Sequence, residues 1–157
     1  MKKIIISFIL VAALMTGCAK DNRPSDLPPL YPCAITITQD GSPLVGATVH
    51  LVPVAAENAK YQASTVTDEK GKAVLTTYGF DGVPAGRYKV CVWKTVVEGV
   101  TQITNSDGEL VNTLGTEYRT VEREYSDATT TPHEIEITNK KMPPHSFDVG
   151  QAVKIQK

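Results

Sequence analysis

Cys33-Ala34-Ile35-Thr36-Ile37-Thr38-Gln39-Asp40-Gly41-Ser42-Pro43-Leu44-Val45-Gly46-Ala47-Thr48-Val49-His50-Leu51-Val52 decides the fold of this chain. The first six residues alternate, with the isoleucines inward and the threonines outward, which is the two-residue period of a strand with one buried face. Asp40-Gly41 then marks a tight turn, because both residue types tolerate positive φ. Beyond Pro43 the alternation resumes: Ala47, Val49 and Leu51 share one face, and Thr48, His50 and Val52 the other. Two strands joined by a short turn, each with one apolar face, require a second layer to cover that face.

The same grammar continues downstream. Residues 53–60 read as a loop and 61–67 as a third strand. Asp68-Glu69-Lys70-Gly71 is a turn, and residues 72–77 form a fourth strand predicted to hairpin with the third. The Gly-rich stretch Tyr78 to Gly86 leads into Arg87-Tyr88-Lys89-Val90-Cys91-Val92-Trp93, whose inward face is Tyr88, Val90 and Val92. Residues 94–124 are the least regular: 96–104 suit a strand, Asn105-Ser106-Asp107-Gly108 a turn, and 114–124 a loop or short helix. His133-Glu134-Ile135-Glu136-Ile137-Thr138 alternates cleanly, and Ser146-Phe147-Asp148-Val149 belongs to the last strand. Short strands with a turn signal every 8–12 residues, and no long helix for a crossover, predict an all-β, antiparallel Greek-key sandwich of about seven strands.

The start of the chain is of a different kind. Met1-Lys2-Lys3 is followed by an apolar run from Ile4 to Leu14, broken only by Ser7, and then Met15-Thr16-Gly17-Cys18. A short positive start, a short apolar stretch and small residues before a cut site are the marks of a secretory leader. The run is too short for a permanent span, which takes about 20 apolar residues. Leu14 to Cys18 resembles a bacterial lipobox, with Met15 where Leu is usual. That resemblance implies cleavage after Gly17 and acylation of Cys18, where each buried CH₂ contributes roughly 0.8 kcal/mol. Ala19, in place of Asp, points to the outer membrane. Residues 18–32 hold four prolines and read as an extended tether, since proline blocks both helix and ladder pairing. The expected organisation is therefore a leader over 1–17, a tether over 18–32 and one sandwich over 33–157.

Of the 157 residues, 140 follow the leader, enough for one domain with a core that needs no metal. Losing Lys2 and Lys3 with the leader takes the formal net charge from −1 to −3. There is no long basic run, so nucleic acid is not an expected partner.

Three motifs resemble those of carboxypeptidase regulatory-like domains. Asp40-Gly41-Ser42-Pro43-Leu44-Val45-Gly46-Ala47-Thr48-Val49 is similar to their opening hairpin. Thr67-Asp68-Glu69-Lys70-Gly71-Lys72 is similar to their second turn, and Pro84-Ala85-Gly86-Arg87-Tyr88-Lys89-Val90 to a strand entry. A narrower resemblance, to small planctomycete-type lipoproteins with such a domain, rests on Thr77 to Gly82, Gly86 to Tyr88 and Glu124 to Pro132. These resemblances imply a transthyretin-like (prealbumin-like) sandwich and no particular activity; fold alone does not confer function.

Candidate chemistry is sparse. Tyr118-Arg119-Thr120-Val121 is internal and lacks the Tyr-Arg-Gly-Ser ending of the hydroxyisourate hydrolases that share this fold. The histidines His50, His133 and His145 have neither HExxH nor HxH spacing, so no metal is expected. The Asp-Gly pairs are explained by turn chemistry rather than calcium. No serine elbow, phosphate loop or dinucleotide fingerprint occurs, and the chain is not expected to be an enzyme or to carry a cofactor. Cys33 and Cys91 form an even pair in an oxidising compartment, which favours a disulfide. Their parity, Cys33 inward with Ile35 and Cys91 outward with Trp93, opposes it. Both readings stand at this level. Trp93 and the Tyr78 loop are the candidate ligand-binding residues. The expected function is a lipid-anchored, non-catalytic structural or protein-interaction module of the cell envelope, with a glycan- or peptide-binding surface as the alternative.

Overall fold

A computed structural model of the chain describes residues 23–140 and 142–156. The leader, Cys18 and Ala19 lie outside the described residues. The chain is all-β, with only two short 3-10 turns, Ala56–Asn58 and Arg123–Ser126, among the described residues. No helix among them is long and apolar enough to cross a membrane.

Two sheets face each other. The larger has six strands in the order Glu134–Ile137, Gly86–Trp93, Thr48–Pro53, Ala63–Val66, Thr76–Thr77 and Phe80–Asp81, all antiparallel. The smaller is centred on Ala34–Gln39, flanked by His145–Asp148 on one side and by Ser42–Pro43 and Lys72–Val74 on the other. The alternation read in the sequence places the inward residues between the sheets. Ile35 and Ile37 meet Val49, Leu51, Tyr88, Val90, Val92, Ile135 and Ile137 in one core, each at 2% exposure or less. Tyr88 is wholly buried, and its hydroxyl donates to the Pro84 carbonyl at 2.9 Å, which satisfies the one polar atom it brings in.

The expected hairpin between 61–67 and 72–77 does not form as such. Lys72–Val74 pairs with Ala34–Thr36 in the small sheet, whereas Thr76–Thr77 pairs with Ala63–Ser64 in the large one. The chain changes sheets at Leu75, which is fully buried and donates its N–H to the Cys33 carbonyl at 2.9 Å. A strand that switches layers gives a sandwich its corner, and the period-2 pattern looks the same on either side of the switch.

A second correction concerns direction. His145–Asp148 runs parallel to Ile35–Thr38, so the sandwich is not purely antiparallel. Only a hairpin forces antiparallel pairing, and these strands lie more than a hundred residues apart in the chain. Asp148 fixes the junction. Its carboxylate accepts from Thr38 Oγ1 at 2.8 Å and from the N–H groups of Gly41 and Gly150 at 3.1 and 2.8 Å. These bonds hold its pKa below the usual carboxylate range.

The first two motifs meet physically. Thr67 is buried; its hydroxyl donates to the Leu44 carbonyl and accepts the Ala47 N–H at 2.9 Å. Gly71, at φ +70°, lies directly on the backbone of Ile37, Pro43 and Leu44, where a Cβ has no room.

The tether also departs from expectation over its described part. Leu30–Tyr31 pairs with Val83–Pro84, Leu27 is buried, Tyr61 Oη donates to the Asp26 carbonyl at 2.6 Å, and Lys60 forms an ion pair with Asp26 at 2.7 Å. The prolines stand beside Leu30 and Tyr31 rather than at them, so the two N–H groups needed for a short ladder remain. Residues 24–31 are strapped to the body.

Candidate functional site

The segment with the least sequence signal forms the most distinctive feature. Strand Gly86–Trp93 runs on, past Lys94, into an antiparallel ribbon. Thr95–Glu98 pairs with Thr116–Arg119, and Gln102–Thr104 with Leu110–Asn112. Glu98 faces Thr116 and Gln102 faces Asn112, so the three intervening residues on each strand keep the two halves in register. Thr113 N donates to the Thr101 carbonyl at 2.7 Å across this interruption. The tip is the expected turn: Asn105 Oδ1 accepts from the N–H groups of Asp107 and Glu109 at 3.0 and 2.8 Å, a local bond that asparagine makes readily. At about 3.3 Å per residue, the strand from Thr95 to the tip spans on the order of 40 Å.

The base of this arm is fixed. Ile155–Gln156 adds a third strand beside Tyr118 and Arg119, and Lys154 bonds Glu98 at 2.6 Å while lying 4.5 Å over the Tyr118 ring. Gln39 Nε2 donates to the Thr120 carbonyl at 2.8 Å, and the chain re-enters the core at the fully buried Val121. Beyond the base, no described element adds a strand to the ribbon. Val97, Val100, Ile103, Leu110 and Leu114 are exposed, Leu110 at 69% and Leu114 completely. Single exposed apolar residues need no account; several gathered on one element make the arm a candidate contact surface.

The arm and the N-terminal segment belong to opposite ends of the large sheet. Pro53 lies opposite Tyr88, and Thr48 opposite Trp93. The arm leaves at the Trp93 end. The N-terminal segment lies against Lys60, Tyr61, Val83 and Pro84, at the other end.

Trp93 and Tyr78 are not brought together. Trp93 is half-buried on the outer face at the arm's base, its ring centroid 6.0 Å from that of His50. Tyr78 is exposed near the N-terminal segment, edge-on to Tyr61 at 6.4 Å. The histidines are divided as well. His50 Nε2 lies 2.9 Å from Gln62 Oε1. His133 donates from Nε2 to the Asp148 carbonyl at 2.8 Å, stacks on Tyr125 and lies tilted to Phe147, whose ring is parallel to that of His145 at 6.4 Å. Among the described residues no group of three His, Cys, Asp or Glu side chains is placed to hold a metal ion.

The Asp-Gly turns are used as turns. Asp68 Oδ1, for example, accepts the N–H groups of Lys70 and Lys72 at 2.8 and 2.9 Å, which lowers its pKa.

The two thiols are free and buried, so the Cys33–Cys91 bridge is not formed. Parity is the reason. Cys33 lies in the core, where burial pushes its pKa up to about 11. Cys91 pairs with His50 on the outer side of the sheet, covered by the Arg123–Ser126 turn, and its pKa is raised by burial and then by the nearby Asp127. Outward parity was legible; the turn that covers the position was not.

A groove of about 730 Å³ runs over the outer face of the small sheet, between Tyr31 and Pro32 on one side and Met142 to His145 on the other, with Thr36, Lys72 and Val74 on its floor. Sequence reading did not anticipate it, because its walls come from segments more than a hundred residues apart.

No family model, curated protein or solved structure matches this chain. The class defined by the fold is therefore a structural one: an all-β sandwich with a projecting two-stranded arm.

Proposed function

We propose that the chain is a lipid-anchored, non-catalytic protein-interaction module of the cell envelope, held by acylated Cys18 and engaging its partner through the arm formed by residues 94–120. The observation that carries this reading is the polarity of the body. The segment leading back to Cys18 is strapped to one end, and the exposed apolar ribbon leaves from the other. An anchor and a contact element at opposite ends let a small domain present one surface while the other end stays at a membrane. The leader, Gly17-Cys18 and Ala19 support an outer-membrane destination, and the three motifs support membership of the carboxypeptidase regulatory-like group.

Metabolic labelling with a palmitate analogue, followed by membrane fractionation, tests the anchor. The wild-type chain is expected to incorporate label and to sediment with the membrane; Cys18→Ser is expected to lose both. Label retained by Cys18→Ser, or an unlabelled wild-type chain in the soluble fraction, overturns the reading.

A further inference from the structure

Sheet edges are hazards because their unpaired N–H and C=O groups recruit further strands, and proteins blunt them with charge, proline or shortness. The edges of this body are blunted in those ways. Phe80–Asp81 and Ser42–Pro43 are two residues long, Glu134–Ile137 carries the exposed Glu136, and His145–Asp148 follows Pro143-Pro144. The outgoing strand of the arm differs. From Thr95 to Thr104 it reads Thr-Val-Val-Glu-Gly-Val-Thr-Gln-Ile-Thr, without Lys or Pro, and its one charge, Glu98, is neutralised within the chain by Lys154. A two-stranded ribbon is marginal in water, and three or more strands are the usual requirement. Only the base of this ribbon has a third.

We propose that the strand of the next chain on this edge is the same strand of a second copy, so that two arms pair antiparallel into a four-stranded sheet. This rests on reading the arm as an interaction element and supplies its partner. The backbone fixes the register. Thr120 N donates to Lys94 O, Thr113 N to Thr101 O, and Asn105 N to Glu109 O. With alternation along each strand, residues 94, 96 and 98 turn their backbone groups into the ribbon before the break at Gly99, and 101, 103 and 105 do so after it. The free edge therefore offers Thr95 and Val97 on one side of the break and Gln102 and Thr104 on the other. An antiparallel second copy meets these groups in full when Thr95 faces Thr104 and Val97 faces Gln102. Val96 then packs against Ile103, Glu98 lies opposite Thr101, and no two like charges face each other. The two-fold axis falls between Gly99 and Val100. An interface in which each copy supplies the same patch is the self-complementary kind that closes as a dimer. Threonine pairs and β-branched pairs across strands are the favourable ones.

Cysteine trapping tests the register. In the full chain carrying Val96→Cys with Ile103→Cys, the two positions are seven residues apart on one strand, on the order of 23 Å, and a disulfide needs Cα atoms within about 4.4–6.8 Å, so any bridge between them joins two copies. Mild oxidation at high protein concentration in detergent is expected to give a reducible dimer, several-fold above the level of either single-cysteine variant. Val97→Pro in that background removes only an outward-facing donor and is expected to lower the yield several-fold, while unchanged Trp93 emission shows that the body is intact. A double variant trapped no better than the singles, or trapping indifferent to Val97→Pro, overturns the proposal. Neither result bears on acylation of Cys18, which is read separately by labelling.

Discussion

The sandwich and its arm are both built from paired strands rich in valine, isoleucine and threonine, yet one hides its apolar side chains and the other displays them. Ile37, Val49 and Leu51 have no exposed surface; Ile103 is half exposed, and Leu110 more so. The difference is not composition or strand propensity. In the body a second sheet lies across the apolar face, and in the arm nothing does over most of its length. Burial belongs to the pairing of layers, so an alternating strand says that something should cover it without saying what.

That contrast can be broken or sharpened, starting with the core. Leu51→Ala empties a fully buried site and should cost about 2–5 kcal/mol in urea unfolding, with the lost packing adding to the lost transfer energy. Leu110→Ala in the arm should stay within about 0.5 kcal/mol. If the arm substitution cost as much as the core one, arm and body would be a single folding unit.

Gly71→Ala should cost more than about 1 kcal/mol, because a Cβ there meets the Ile37 carbonyl at a φ that disfavours any side chain. A smaller loss would mean that the two turn motifs move apart easily. Gly108, at φ +81° on the arm's tip, has nothing within reach of a Cβ, so Gly108→Ala should cost less than Gly71→Ala.

Asp148→Asn gives a smaller, pH-dependent effect. The folded pKa of Asp148 is depressed, so its contribution is complete above the unfolded value of about 3.9 and fades as pH falls through the lower folded value. The difference between wild type and Asp148→Asn should therefore be largest near neutral pH and shrink below about pH 4. A difference that stays constant down to pH 2 would mean that the carboxylate is not what pins the parallel strand.

The thiols give the least energetic readout. Neither Cys33 nor Cys91 should react with a maleimide in the native chain at neutral pH, and both should do so in denaturant, since burial raises both pKa values. A non-reduced mass two hydrogens below that of the dithiol would restore the bridge.

Much of the body was legible because its signals are local. The Asp40-Gly41 turn, with both φ angles positive, and the inward set Tyr88, Val90 and Val92 follow from residue type and parity alone. The sheet switch at Leu75 was hidden because both halves of that strand alternate alike. The strapping of residues 24–31 was hidden because prolines argue against pairing without saying that Leu30 and Tyr31 between them are free to pair. Trp93 is a candidate by its outward parity and Tyr78 by its place in a Gly-rich loop; their separation to opposite ends follows from strand direction, which neither residue encodes. Of the arm, strand 96–104 and the Asn105 turn were readable; that the return strand stays in step past the Gly99 interruption was not.

By itself the sequence determined a β chain with an apolar face on each strand of the body, and its principal turns, because each depends on the conformational preferences of adjacent residues. Only the tertiary structure decided which sheet each strand joins, that His145–Asp148 runs parallel to Ile35–Thr38, that the Arg123–Ser126 turn lies against the strand carrying Cys91, and that residues 94–120 project instead of folding back. Those are contacts between residues far apart in the chain, fixed by which apolar faces meet rather than by any local preference.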